Sequence, residues 1–545
     1  MNHTLDGPQR CALIWEFAVR LRLLTDTHVG AARATPRHAA EGDVDLSLDR
    51  DPRSGLPRLR ATTLAGLLRH ELTGRTDHAD AAVLFGTGSG RAAFGEGDPL
   101  PVASALDLDD AHAELPEDTN VTVRVGTRVD PATGTVHPGR MWRWEVLPAG
   151  TAFVCHLRLW VPERAVEERL LTLLLLAVRG LEGEGPGIRI GGRTGRGHGV
   201  VRATHWAARR HDLTDLDGWF GFHARTWAER RRRATEALTD SSSVKGLPEL
   251  LEIRLREHGR AATAAHVRAR ADTPDPRHRA ELRMELHVAE RAGPLSQGPD
   301  PAARGLRPGL LMIGDVPEPD RLAEVDRAHR RRPVACEPEG DRVRVRPVLG
   351  DTALFALFKR VSGRLVRDAA EHLGGPPERW RDWHGHWWGA DANGRRSSTP
   401  SRIRLRATPA LTGGSALTTT RSTVDALFGD AVDGRLFTTD LHCGGSAEVV
   451  LDVTEPDDAV RGLLALLVRE LATVPLDTLG AGAGGGNGRL TATRAVLVTL
   501  GGAEEGSGRV VDLMTVLQTP EGEQARLVRG WLRTLHGRLT ERRNR

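Results

Sequence analysis

The segment Glu41–Asp51, EGDVDLSLDRD, sets carboxylates at Asp43, Asp45, Asp49 and Asp51, downstream of Asp26. Carboxylates grouped like this can hold a divalent ion beside a phosphate and help stabilise charge on a leaving oxygen. By spacing alone the run reads better as a solvated acidic loop. The segment Ile190–Val201, IGGRTGRGHGVV, carries Gly191, Gly192, Gly195, Gly197 and Gly199 among Arg189, Arg193 and Arg196. Glycines at this density permit positive φ and let a polyanion approach the backbone N–H groups.

The glycine segment returns as LGAGAGGGNGRL (Leu479–Leu490), aligned without a gap, so that Gly191, Gly195, Gly197 and Gly199 fall on Gly480, Gly484, Gly486 and Gly488. Thr127–Gly150 likewise aligns on Ser422–Gly445, with Asp130/Asp425, Gly134/Gly429, Gly139/Gly434 and Arg140/Arg435 identical. Two echoes in the same order imply one module used twice on an extended ligand.

The elements that would position these residues follow from periodicity. Residues 12–24 partly alternate apolar and polar, as a half-buried strand does. Leu59–Thr73 reads as a loop leading into an amphipathic helix, with Thr62 or Thr63 as its cap. Short strands are expected over Val102–Val129, and a hairpin over Trp142–Val161 turning at Pro148–Gly150. Ala165–Leu181 is expected to be a helix, and a closing strand ends near Trp206. Strand, helix, strands, helix, strand is the ferredoxin-like order. The fold class expected is therefore α+β, with a first module over 1–210, an Arg-rich helical connector over 211–278 that breaks at Asp240–Ser243, and a second module over 279–545. That second module would start with a strand at Ala280–Glu290 and take helices from Thr352–Leu373 and Asp457–Val474. Between them, about 374–400 reads as an insertion holding RWRDWHGHWW (Arg379–Trp388). It is expected to be a packing patch between domains; base stacking, or a metal held by His384 and His386, is the other reading. The run Arg230–Arg233 reads as a solvated helix face, and Glu541–Arg545 as a frayed tail.

Composition bounds the rest. A chain of 545 residues has room for two to four domains. Its net charge is only +4, so any nucleic-acid surface must be a local stripe. Lysine occurs only at Lys245 and Lys359. Cys11, Cys155, Cys336 and Cys443 form no CxxC pair, which points away from a zinc site or a disulfide framework. The first ten residues lack a signal-peptide layout, and the most apolar stretch, Leu170–Arg179, is too short to span a bilayer. A cytoplasmic protein with no membrane partner is expected.

The glycine loop, RATTLAGLLR (Arg60–Arg69), LFG (Leu84–Gly86), VGTRVDPATG (Val125–Gly134) and MWRWEVLPAG (Met141–Gly150) together resemble the RAMP superfamily, specifically the backbone subunits of type III CRISPR effector complexes. In that family a PGSSLKGxLR-like segment starts the first helix; here Arg60, Ala61 and Ala65 stand at its Pro, Gly and Lys. The resemblance covers 12–206 well and about 280–500 more weakly. It implies a ferredoxin-like, RNA-recognition-like core with a thumb hairpin. It implies that guide CRISPR RNA, complementary target RNA and other type III effector subunits are the partners. Base pairing would then read sequence while the protein holds backbone and shape.

The resemblance also assigns roles. DPRSGLPRL (Asp51–Leu59) matches the extended segment that follows the family's catalytic Asp, and counting back places Asp45 there, with Asp43 and Asp49 as fallbacks. Asp45 would act through a bound divalent metal ion, magnesium or manganese. RNA contacts are implied for His28, Thr62, Thr63, Arg69, Arg128, Arg189, Gly191, Gly192, Arg193, Gly195, Arg196 and Gly197, and in the second module for Lys359, Gly484, Gly486 and Gly488. In that module the place of Asp45 is expected near Arg331, with Asp326 a less favoured substitute and no His matching His28 within Ser296–Asp300. The resulting expectation is a guide-RNA-binding subunit that cuts target RNA through its first module. A non-catalytic capping subunit and a guide-RNA-processing ribonuclease are the alternatives.

Overall fold

The computed structural model describes residues 11–30, 44–87, 103–129, 136–183, 185–239, 244–291, 305–335, 343–390, 397–473, 476–501 and 508–540. Asp43, residues 130–135, 240–243 and 296–300, and Glu541–Arg545 lie outside the described residues. Gly195–Gly197 apart, the chain divides into two compact units, one running to Asp275 and the other from Pro276.

The first unit is built on β1 (Leu13–Leu23), with β2 (Arg58–Leu59), α1 (Ala61–Arg75), α2 (His78–Phe85), β3 (Leu106–Leu108), β4 (Ala111–Glu114), β5 (Thr122–Val129), β6 (Val136–Val146), β7 (Ala152–Val161), α3 (Glu167–Val178) and β8 (Val201–Asp212). The sheet order β2-β4-β7-β1-β8 puts β1 between β7 and β8, antiparallel to both. This is the ferredoxin-like arrangement. Trp15, Phe17, Val19, Leu21 and Leu23 alternate onto one face, where Leu64, Leu68 and Leu72 of α1 and Leu170, Leu171 and Leu174 of α3 cover them.

Helices α4 (Leu216–His223), α5 (Trp227–Thr239), α6 (Leu247–Glu257) and α7 (Ala261–Ala271) belong to this unit rather than to a free-standing connector. Leu238 of α5 packs on Ala18 and Ala207 across the other face of the sheet. Leu250, Leu251 and Leu255 of α6 and Val267 of α7 join the main core. Arg230, expected on a solvated face, instead reaches the buried Glu16 carboxylate at 2.7 Å.

The expected hairpin over Trp142–Val161 does not form. β6 pairs with β5, whereas β7 pairs with β1. Between them Leu147 exchanges both backbone hydrogen bonds with Thr27, so the chain changes sheets at Pro148–Gly150. β5–β6 is a separate two-stranded ribbon.

The second unit repeats the plan. Its strands are β9 (Arg279–Arg291), β10 (Leu306–Pro308), β11 (Leu310–Leu311), β12 (Gly314–Asp315), β13 (Arg327–His329), β14 (Arg331–Ala335), β15 (Val343–Pro347), β16 (Ile403–Leu405), β17 (Ser415–Val424), β18 (Ala431–Cys443), β19 (Ser446–Thr454), β20 (Leu490–Leu500) and β21 (Val510–Asp512). Its helices are α8 (Asp351–His372), α9 (Pro377–Trp388), α10 (Asp458–Thr473), α11 (Leu513–Gln518) and α12 (Glu523–Thr540). β16-β19-β9-β20-β21 matches the first sheet strand for strand around its centre. The match extends to a bulge: Thr204 of β8 is skipped in the pairing with β1, and Thr493 of β20 in the pairing with β9. These are the threonines that flank the two glycine segments.

The Trp-rich segment is not an insertion but the counterpart of α2. Helix α2 stops at Gly86 with φ 71°, and α9 stops at Gly389 with φ 77°. Arg69 donates to the Gly86 carbonyl at 2.9 Å, and Lys359 donates to the Gly389 carbonyl at 2.6 Å. Trp387 and Trp388 lie in the core of the second unit, as Leu84 does in the first. His384 is buried, with its Nε2 3.0 Å from the Lys359 carbonyl, and burial pushes its pKa down to about 4. That carbonyl engages Nε2, and no cluster of three potential ligands occurs among the described residues. No helix among them is long and apolar enough to cross a membrane.

Candidate nucleic-acid interface

The segment after β1 is laced onto the ribbon strand β6. The Asp45 N–H donates to the Arg143 carbonyl at 2.9 Å, and the Arg143 N–H donates back to Asp45 Oδ2 at 2.7 Å. Leu46 then runs parallel to Trp144. The Glu145 carboxylate accepts from the Leu48 N–H at 2.8 Å and from Arg50 at 2.9 Å. Asp45 is exposed and spends one carboxylate oxygen on the backbone, so the other can meet a ligand.

Asp49 is built differently. It is 4% exposed and accepts from Arg58 Nε at 2.9 Å and from Arg60 Nε at 2.6 Å and Nη2 at 2.7 Å. The Arg60 guanidinium holds its carboxyl below the usual carboxylate range. Its oxygens are occupied by the fold. Asp51 closes the following turn by accepting from the Arg53 and Ser54 N–H groups, which pulls its pKa down to about 2.

Neither threonine caps α1. Arg60 is the N-cap residue and offers no side-chain acceptor; Asp110 accepts from the Ala61 N–H at 2.8 Å instead. A cap can come from a distant loop, and spacing within the helix gives no sign of it. Thr62 is exposed and Thr63 partly so, both on the first turn.

The glycine loop folds back on the segment before Asp45. The Ile190 N–H reaches the Gly199 carbonyl at 2.8 Å, and the Gly192 N–H reaches the His28 carbonyl at 2.9 Å. Gly191 has φ 82°, and a methyl group there would sit 2.1 Å from the His28 carbonyl oxygen. Only glycine fits. Gly197 also has positive φ, 88°. His28 is largely buried, with Nδ1 2.7 Å from the Glu145 carbonyl. Arg189 is buried and donates to the Thr194 carbonyl. Arg193 adopts φ 59°, and its guanidinium lies 3.7 Å from the Trp144 ring centroid. Arg196 is partly buried, and Arg128 falls near the end of β5.

Arg193 is thus held in the left-handed region by two tryptophans of β6. The cost of that backbone is about 1–2 kcal/mol, and a cation–π contact returns about 0.5–2 kcal/mol. Gly482 occupies the aligned position of the second loop with φ 82°. Arg193→Gly is therefore expected to change stability by less than about 1 kcal/mol in a denaturant titration. A loss above about 3 kcal/mol would show that the tryptophan contact dominates.

The second unit reproduces this lacing around Asp326, not Arg331. The Asp326 N–H donates to the Thr438 carbonyl at 2.9 Å, and the Thr438 N–H donates back to Asp326 Oδ2 at 2.7 Å. Thr438 is the residue that aligns on Arg143. Arg327 then runs parallel to Thr439, as Leu46 does to Trp144. The Arg330 N–H bonds the Ile313 carbonyl as the Asp49 N–H bonds that of Val29, so Arg330 takes the place of Asp49. Met312 takes the place of His28: its carbonyl accepts from Ala481, and a methyl at Gly480 would lie 2.1 Å from it. The second loop keeps its own closure, Leu479 N–H to Gly488 carbonyl at 2.7 Å, with Gly486 at φ 81° and Gly484 within a short 3-10 turn. Sequence reasoning missed the ribbon backbone at Arg143 and Thr438. The ungapped alignment of those two positions was the available signal.

The described residues do not form an all-protein metal cage at either carboxylate. They fit a magnesium-type ion that one carboxylate holds and substrate phosphate oxygens and water complete.

A family model described as the RAMP superfamily matches residues 20–202. Gly195–Gly197 apart, that span lies in the first unit, which is thus similar to the superfamily. No curated protein matches the chain.

Proposed function

We propose that the chain holds guide RNA in a type III CRISPR ribonucleoprotein and cleaves the complementary target RNA, with Asp45 as the carboxylate at the scissile phosphate. The observation that carries this reading is the exposed Asp45 carboxylate, pinned by one oxygen to Arg143 of β6, whose next residue, Trp144, carries Arg193 of the glycine loop. When bound, a divalent ion at Asp45 would supply charge stabilisation for the phosphoryl centre and the leaving oxygen. The chain's own part is to fix that carboxylate through the Arg143 N–H. Glu145 clamps the loop behind it at Leu48 and Arg50.

The same pinning at Asp326 supports a second cut, made by the second unit. Here a fused pair of RAMP modules would offer two carboxylates to one strand. The RNA contacts expected at His28, Arg189 and Lys359 pass, in this reading, to backbone and neighbouring groups, because those side chains are engaged within the fold.

The test is a guide-loaded ribonucleoprotein given end-labelled complementary RNA with magnesium or manganese. Two fragments boundaries are expected, both lost on chelation with EDTA. Tight target binding with no cleavage in either metal would favour the non-catalytic capping subunit instead.

A further inference from the structure

The units differ where the chain leaves the candidate carboxylate. In the first unit Arg50 bridges to Pro57 across a turn of six residues closed by Asp51. In the second unit Arg331 pairs with Pro347, and fifteen residues lie between them. They extend the turn into the ribbon β14–β15. Segment Arg331–Pro347 carries five arginines against three carboxylates.

The register sorts its side chains. Arg332 lies opposite Arg346, and Val334 opposite Arg344. Residues directly opposite share a face, and alternate residues along a strand do too. Arg332, Arg344 and Arg346 therefore share one face. Pro333 and Val345 share the other, and Val345 is exposed. Like charges directly opposite oppose strand pairing, and a two-stranded ribbon is marginal by itself. Arg332 is neutralised by Asp315. Arg344 and Arg346 have no carboxylate partner among the described residues. Two residues of strand separate their Cα atoms by about 6.6 Å, a span that suits successive phosphates of an extended strand.

We propose that this arginine face is a phosphate clamp, gripping the backbone of the target RNA strand beside Asp326. The inference rests on the RNA-holding reading above and adds an element that the first unit lacks. An anion on this face would neutralise Arg344 and Arg346 as Asp315 neutralises Arg332. It would steady the strand next to the second carboxylate without reading its sequence.

The experiment uses the guide-loaded ribonucleoprotein carrying Arg344→Gln with Arg346→Gln. Affinity for complementary RNA is measured over a range of salt concentrations. Each phosphate contact on a single strand contributes about 0.7 to the slope of log K against log salt. The variant is expected to bind with a slope shallower by about 1.4, and about tenfold more weakly at physiological salt. The loss should be alike for several guide–target sequences, and the variant should melt no lower than wild type. An unchanged slope in a folded variant overturns the clamp. So does a loss confined to guide loading, with target binding untouched. If wild type itself binds complementary RNA with no salt dependence, the RNA-holding reading fails, which is a separate outcome.

Discussion

Asp45→Ala is expected to abolish one of two target-RNA cuts, and Asp326→Ala the other, each by roughly 10²–10⁴-fold, the range for a positioned catalytic group. Binding of target should be unchanged or slightly tighter, because each substitution removes a negative charge beside a polyanion. The fold should survive. Each exposed carboxylate makes one hydrogen bond to the ribbon backbone, worth about 0.5–1.5 kcal/mol. Asp45→Asn and Asp326→Asn separate charge from shape, since an amide oxygen can still accept from Arg143 or Thr438. They should lose cleavage as fully as the alanine variants. Fragment mapping by denaturing gel reads the result. If Asp326→Ala leaves both boundaries intact, the second unit binds only. If Asp45→Ala does so, the proposed site is wrong.

That pair of variants was visible only in part from the sequence. Alternation in Leu13–Leu23 and the Leu face of α3 gave the core, because burial imposes those periods directly. The two glycine loops were legible because positive φ and a 2.1 Å approach tolerate no Cβ, which leaves glycine at both Gly191 and Gly480. The residue of the second unit bonded as Asp45 is, Asp326, lies five positions before Arg331. Counting back from the following segment assumed a turn of fixed length, and β14–β15 had lengthened it. Loop length is cheap to change, whereas backbone pairing is not; Arg143 and Thr438 therefore mark equivalent positions in the two units better than the turn does. Arg69 and Lys359 show a related limit. Both look like surface cations in the sequence, yet each caps the end of the helix that follows. The tryptophans of α9 looked foreign because their counterparts in α2 are Leu84 and Phe85, and size differs although position does not.

Asp49→Ala is expected to act through stability rather than chemistry. The substitution leaves Arg58 and Arg60 facing each other without the carboxylate between them. Breaking a fully buried pair costs about 3–5 kcal/mol. Arg60 is 39% exposed and can recover solvent, so about 2–3 kcal/mol is the better expectation here. That corresponds to a fall of about 5–10 °C in the melting transition of the first unit. The pH dependence has a definite sign. The folded pKa of Asp49 is lowered, so its contribution is complete above the unfolded carboxylate value of about 3.9. It is lost as pH falls through the lowered folded value, and below that wild type and variant should melt alike. Well below its melting temperature, Asp49→Ala should still cut at the first boundary. A variant that stays folded by circular dichroism but has lost that cut would transfer the catalytic role from Asp45 to Asp49. The two arginines on Asp49 would then have to release it when RNA binds, and their substitution by Gln should raise the cleavage rate instead of lowering stability alone.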